Sequence, residues 1–497
     1  MAPALELCNR TLDRLPSRVA VPGYARSQLS AGIVHIGVGN FHRTHQAVFI
    51  DRCLHLADHQ GWGIIGVGLG QGSAADAKAD AFARQDGLYT VTEYDPNGDG
   101  QTRVIGAMVG YLHAPRDPEQ VLATLAGANI RIVTLTITES GHHIDERTGA
   151  FKLDVPEIAR DLTGAVPETA FGFIVESLAR RRAAGLPGFT VVSCDNLRHN
   201  GDTARNAIVT FARARDGALA DWIEREVSFP NGMVDRISPM TMSEDRRRLN
   251  AQSGVDDLMP AIGESFIQWV IEDRFLNGRP DFGAVGVQLR DDVALFEAAK
   301  GRVLNAAHMM LAYPALLCGY RLVHEAMQDR QLRDFLQRFL LRDAIPLIEG
   351  PSGISLPDYA AVVLERFGNP AVGDQLLRIA QAGAAKIPVF HRRTIELLLE
   401  TNGHLGREAF FLACYAHFLD GRDHPEAAYK VVEPTLSAED WIELRASDGL
   451  GLLRTSPFAA LRLYRHDGFA AAYRAAAIAI ARDGVRVALA TDAGLVW

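Results

Sequence analysis

Residues 31–43 read Ala-Gly-Ile-Val-His-Ile-Gly-Val-Gly-Asn-Phe-His-Arg, a short apolar run that stops in a glycine turn and passes into a helical pattern. This opening constrains the fold more than any other part of the chain. Gly37 permits a tight turn after a strand, and Gly39 lets the backbone approach a pyrophosphate. The first amides of the following helix can then meet the negative charge. The third glycine of the usual dinucleotide fingerprint is missing, because its position is His42. A bare Gly-x-Gly divides about evenly between a phosphate turn and an ordinary strand end. His42 and His45 are three apart on the same helix. With no cysteine or carboxylate cluster beside them, the expectation is helix surface or phosphate contact rather than a metal pair.

Three further segments extend the pattern. Trp62–Leu69, Ile130–Thr138 and Phe189–Cys194 are rich in β-branched residues and end in glycine or polar groups, as strands of a parallel sheet do. The fold predicted is a Rossmann-type doubly wound parallel sheet, with the carboxyl ends of its strands facing a ligand crevice. Asn196, just beyond the fourth strand, would point its amide at the ligand. Asp195 and Asn196 are equally suited to capping a helix that starts near Asn200–Thr203, and the residues alone leave both roles open. The second strand should end near a carboxylate for the adenosine ribose of NAD. Asp58 precedes that strand and so lies at its wrong end, Asp76 is the nearest acid beyond it, and no arginine stands in the turn. NAD is therefore preferred, with Lys78 able to accept the phosphate of NADP.

A second constellation lies at Lys300-Gly-Arg-Val-Leu-Asn305-Ala-Ala-His308. An amine, an amide and an imidazole share one short apolar segment, where core packing alone wants none of them. On an α-helix, at about 100° per residue, Asn305 falls roughly 140° and His308 roughly 80° from Lys300, so the three line one broad face. The chemistry suggested is alcohol oxidation without a metal. A lysine desolvated by Val303, Leu304 and Met309 can act as a neutral base, the Asn305 amide can donate to an alkoxide, and a neutral His308 can hold a second oxygen. Glu297, one turn earlier, suits a proton relay or an ordinary helix-surface ion pair, and the ion pair is the commoner case.

These segments, together with Gly37–Gln46, Ser193–Leu197 and Phe229–Ile237, resemble the polyol-specific long-chain dehydrogenases, and among them the branch that interconverts D-mannitol and D-fructose. The similarity runs from about residue 20 to beyond residue 400, and four ordered motifs are far more specific than any one. The resemblance implies that Lys300 is the general base, that Asn196 and Asn305 stabilise the substrate oxygen, and that His308 orients the substrate. It implies that Asp235, Arg378 and Lys386 belong to the substrate pocket and that Glu297 moves the proton; Gly37, Gly39, Phe41 and Asp76 are the residues expected to serve the cofactor. Without it, Asp235 beside Arg236 reads as a surface ion pair, and Arg378 and Lys386 as helix-end cations. Two departures from the family pattern, Asn40 and a longer turn after the second strand without an early acid, bear on cofactor preference. Related branches oxidise D-arabinitol or D-sorbitol, or reduce fructuronate or tagaturonate. A dinucleotide-binding sensor without catalysis is the remote alternative.

Composition fits a large enzyme. The chain has 497 residues, 48% of them hydrophobic, enough for two or three cores. Strand-like runs dominate before about residue 290 and helical periodicity after it, which predicts a dinucleotide domain over 1–290 and a mainly α-helical substrate domain over 291–497, with the active site in the cleft between them. A net charge of −9 without long like-charge runs argues against nucleic acid as a partner. Five scattered cysteines without a Cys-x-x-Cys pair argue against a disulfide framework or a zinc site, and fit a reducing cytoplasm. Residues 1–18 carry charges and no apolar core, so neither a secretion signal nor a membrane span is expected. The expected partner is a small polyol or ketose, and a monomer is expected, as in relatives.

Overall fold

The computed structural model describes residues 4–145, 148–164, 166–421 and 429–491. The chain divides into two compact units, Met1–Asp95 with Asp99–Ala294, and Pro96–Gly98 with Leu295–Trp497.

The first unit is organised by five strands: β1 (Ala31–Ile36), β2 (Gly63–Gly68), β3 (Met108–His113), β4 (Ile132–Leu135) and β5 (Thr190–Ser193). They lie in the order β3-β2-β1-β4-β5, every neighbour parallel. The chain builds outward from β1 in one direction, then crosses back to add β4 and β5 on the other side. The strand order therefore reverses beside β1, where ligands bind in sheets of this kind. Successive side chains alternate between two cores. Val34, Ile36, Val133, Leu135 and Val191 pack with helices Ala170–Ala183 and Asn200–Arg215. Ile33, Ile64, Ile132 and Val192 pack with Phe49 and Ile50 of helix Gln46–Cys53 and with Trp269. Burial on both faces is why these strands read as continuous apolar runs.

The four predicted strands are present, each shorter than its apolar run, and the edge strand β3 joins them. Three smaller sheets complete the unit, one of them the parallel pair Leu5–Glu6 and Val255–Asp256. A four-stranded one has the order Ala261–Glu264, Tyr89–Tyr94, Gly100–Ile105, Val19–Ala20, and a three-stranded one Gly232–Asp235, Gln268–Ile271, Gln288–Leu289.

The second unit is helical, as its periodicity predicts. Helix Ala306–Leu317 is buried along its whole length to Leu316 and packs against Leu376–Ala380 and Gly406–Asp420. Apolar side chains all round suit a helix at the centre of a bundle. Leu356–Phe367, Gly383–Glu400 and Asp467–Asp483 are further helices of this unit. Among the described residues, no helix is long and apolar enough to cross a membrane.

Candidate active site

The segment carrying Lys300 is not an α-helix. Val293–Ala299 is α-helical and Ala306–Leu317 is α-helical, but Lys300–Asn305 between them is a π-helical turn. The amide of Ala306 donates to the carbonyl of Gly301, five residues back. A π turn is wider than an α turn and rotates less per residue. The roughly 140° and 80° expected on an α-helix both shrink, so Asn305 and His308 swing round towards the face of Lys300. Arg302 anchors the turn: its Nε donates to Thr394 Oγ1 at 2.9 Å and its Nη1 to the carbonyl of Leu347 at 2.8 Å. Lys300 is 8% exposed and His308 7%, while Asn305 is half-buried. Glu297 is half-buried one turn before Lys300.

His308 stacks flat on Phe367, with ring centroids 3.8 Å apart and planes 7° from parallel. Its Nε2 lies 3.9 Å from Oδ2 of Asp374, beyond direct hydrogen-bond length. Asp374 is buried, and Arg378 grips it with both prongs: Nε donates to Oδ1 at 2.9 Å and Nη2 to Oδ2 at 2.8 Å. Arg378 is thus a forked partner of a buried carboxylate rather than an ordinary helix-end cation. Lys386 donates through Nζ to the carbonyl of Ile379 at 3.2 Å. Asp374, Phe367 and Arg302 carry no motif. The one available signal was the four-residue spacing of Asp374 and Arg378.

In the first unit, the turn after β1 has the predicted division of labour. Gly37 has φ +96°, and a Cβ there would stand 2.0 Å from the carbonyl oxygen of Thr136 at the end of β4. A Cβ on Gly39 would meet nothing nearer than 3.9 Å, so its face of the turn is open for a close approach. Phe41 stacks on His45, centroids 4.9 Å apart. Helix Asn40–Thr44 is short and breaks at His45 before Gln46–Cys53.

His42 and His45 are not on a helix surface: both are buried. His45 Nε2 bonds the carbonyl of Gln268 at 2.8 Å. His42 lies on His35, centroids 3.4 Å apart and 11° from parallel. Burial holds both imidazoles neutral, pushing His35 down to about 3 and His42 well below its ordinary value. No group of three potential ligands suited to a metal occurs among the described residues.

Asp76 sits in the first turn of helix Ser73–Arg84. Its carboxylate pairs with Arg116 at 2.8 Å and lies 3.6 Å from His113 Nδ1, both from the end of β3. An arginine therefore does reach this region, from a strand that sequence patterning did not resolve. Lys78 donates to the carbonyl of Val38, tying the same helix to the glycine turn. Burial first, then the charge of Arg43, lowers it to about 8.

At the end of β5, Asp195 and Asn196 divide. Asp195 is buried and does not cap the next helix. Its carboxylate accepts from the amides of Ile137 and Thr138 at 3.1 and 3.0 Å and from His142 Nε2 at 2.8 Å, stitching the ends of β4 and β5 together. Asn196 is exposed just beyond. Asn200, which opens the helix, turns its amide inward to the carbonyls of Ser193 and Gly232 at 2.9 and 2.8 Å. Asp235 and Arg236 are not a surface pair. Both are buried, and Arg236 bonds Glu93 at 2.6 Å.

Two family models match the chain, the mannitol dehydrogenase Rossmann domain over residues 31–283 and the mannitol dehydrogenase C-terminal domain over 292–451. The chain is 46% identical over 453 residues to a polyol:NADP oxidoreductase of Gluconobacter oxydans, covering 91% of this chain and 93% of that one. It is 39% identical over 498 residues to a mannitol 2-dehydrogenase of Phaeosphaeria nodorum, covering 98% and 85%. Among solved structures it is similar to Pseudomonas fluorescens mannitol 2-dehydrogenase in ternary complex with NAD and D-mannitol, with TM-score 0.90, 39% identity and coverage of 98% and 99%. It is also similar to a substrate-free D-sorbitol dehydrogenase, with TM-score 0.87, 43% identity and coverage of 97% and 100%. With both domain models matched in order, these likenesses over nearly the whole length place the chain in the mannitol dehydrogenase family.

Proposed function

We propose that the chain is a metal-independent polyol dehydrogenase that interconverts D-mannitol and D-fructose with NAD, acting as a cytoplasmic monomer. One observation carries the reading furthest: a π turn anchored by Arg302 gathers a buried lysine, an amide and an imidazole towards one face of an otherwise apolar helix. Bound NAD supplies the hydride acceptor. Lys300 takes the proton of the substrate hydroxyl, and the amides of Asn305 and Asn196 donate to the oxygen as negative charge grows on it. His308, held flat by Phe367, orients the neighbouring hydroxyl. Asp235, Arg378 and Lys386 bind the remaining hydroxyls, and Glu297 passes the proton from Lys300 to solvent. For the cofactor, Gly37 makes the turn, the open face of Gly39 admits the pyrophosphate, Phe41 follows at the first helical turn, and Asp76 reaches the adenosine ribose. The substrate follows from the relatives named mannitol 2-dehydrogenase, and five unpaired cysteines accord with a reducing compartment.

The test is absorbance of reduced nicotinamide with D-fructose and NADH, then D-mannitol and NAD, set against D-sorbitol, D-arabinitol, D-fructuronate and NADP(H). Turnover fastest with the first pair sustains the reading. NADP is the second candidate cofactor, favoured by the relative named for it and by Arg116 beside Asp76, and a higher kcat/KM with NADPH would replace NAD.

A further inference from the structure

Arg378 is the cation that a sugar acid would seek. Guanidinium recognises a carboxylate best through two parallel N–H donors. In this chain a carboxylate already fills that role. Asp374 takes both Nε and Nη2, at 2.9 and 2.8 Å, and leaves Nη1 for a substrate. The pair is unequal in exposure: the Arg378 side chain is 48% exposed and that of Asp374 only 5%. Asp374 is also fixed through its backbone, whose carbonyl accepts from Val323 at 2.9 Å, and its Oδ1 accepts from the amide of Gln375 at 2.9 Å. It cannot move away without breaking these bonds. Oδ2 stands 3.9 Å from His308, so its negative charge faces the imidazole that the proposed function places on the substrate.

We propose that Asp374 is a specificity-determining residue that makes this side of the substrate pocket select uncharged polyols and ketoses over sugar acids. Arg378 and Asp374 act as a neutral unit: Nη1 donates to a hydroxyl, while a carboxylate arriving there loses the forked site and meets a second negative charge. Rejection of the wrong substrate by a like charge is as much a source of specificity as attraction of the right one. The inference rests on the proposed function for its choice of pocket, and its test is read in binding so that the two can fail separately.

The experiment is calorimetric binding of D-fructose and D-fructuronate to the full chain in the presence of NADH, for the parent, Asp374→Asn and Asp374→Glu. The parent is expected to bind D-fructose at least tenfold more tightly than D-fructuronate. Asp374→Asn should shift the ratio at least tenfold towards the acid, and Asp374→Glu should shift it much less. A ratio unchanged in Asp374→Asn overturns the proposal, because a merely structural role weakens both ligands alike. Should that variant fail to fold, the parent decides: tighter binding of the acid overturns the proposal, and weaker binding sustains it. Absence of turnover with D-fructose and D-mannitol would defeat the proposed function without altering this binding test.

Discussion

The imidazole of His308 lies flat on the ring of Phe367, with centroids 3.8 Å apart and the planes 7° from parallel. One face of the imidazole is thereby fixed by an apolar partner that the chemistry does not use. Phe367 is buried at the end of helix Leu356–Phe367, so its position is set by the packing of the bundle. Leucine there keeps most of the volume and loses the flat contact. Phe367→Leu should raise KM for the polyol severalfold with a smaller change in kcat, and cost about 1 kcal/mol of stability. An unchanged KM would show that the stack does not orient His308.

Lys300→Ala is expected to lower kcat at least a hundredfold, the lower end of what a positioned general base contributes. NADH binding, followed by fluorescence, should stay within about twofold of the parent, since no cofactor role falls to Lys300. Added primary amines should restore part of the lost rate. Near-normal turnover without them would remove Lys300 from the base role.

The sheet was legible because both its faces are buried. Val34 and Ile36 point to one core and Ile33 to the other, so the strand reads as an unbroken apolar run beside a glycine turn. Strand β3 was not legible, since Met108–His113 sits at the sheet edge with Val109 to Leu112 only half-buried. The hairpin Tyr89–Tyr94 and Gly100–Ile105 did carry a signal, the Asn97-Gly98 turn between two β-rich runs. At the candidate site the residue types stood out and their geometry did not. Nothing in Lys300–Asn305 distinguishes a π turn from an α turn, because the extra residue is accommodated by tertiary bonds such as those of Arg302 to Thr394 and Leu347. Asp374 stayed hidden for a related reason: an acid four residues before an arginine is a common surface pattern, and only burial gives it meaning.

Gly37 and Gly39 should separate folding from cofactor binding. Gly37 has positive φ and no room beside Thr136, so Gly37→Ala is expected to destabilise the first unit by about 2 kcal/mol or more, seen as a lower melting temperature without cofactor. Gly39 has ordinary φ and open space, so Gly39→Ala should melt within a few degrees of the parent. Its added methyl occupies the proposed approach of the pyrophosphate, and NADH affinity should drop at least tenfold. Equal loss of NADH binding and melting temperature in both variants would contradict this division.

The stacked pair His35 and His42 predicts how the first unit responds to acid. In an unfolded chain both imidazoles take up protons near pH 6.5. In the folded protein burial keeps His35 neutral to about pH 3, and it likewise pushes His42 well below its ordinary value. Between those limits the unfolded state binds more protons, so stability falls as pH falls, by up to about 1.4 kcal/mol per pH unit for each histidine that titrates. Above pH 6.5 both states are neutral and this source of pH dependence vanishes. His42→Phe separates the effect from that of the carboxylates. Among the described residues neither ring nitrogen of His42 has a hydrogen-bond partner, so phenylalanine keeps the flat contact on His35 and removes the titrating group. Denaturant unfolding is expected to place the variant within about 1 kcal/mol of the parent at pH 7.5, and to give it a visibly shallower loss of stability between pH 6.5 and 5. Parallel curves over that range would exclude His42 as the origin of the acid sensitivity and leave the carboxylates to account for it.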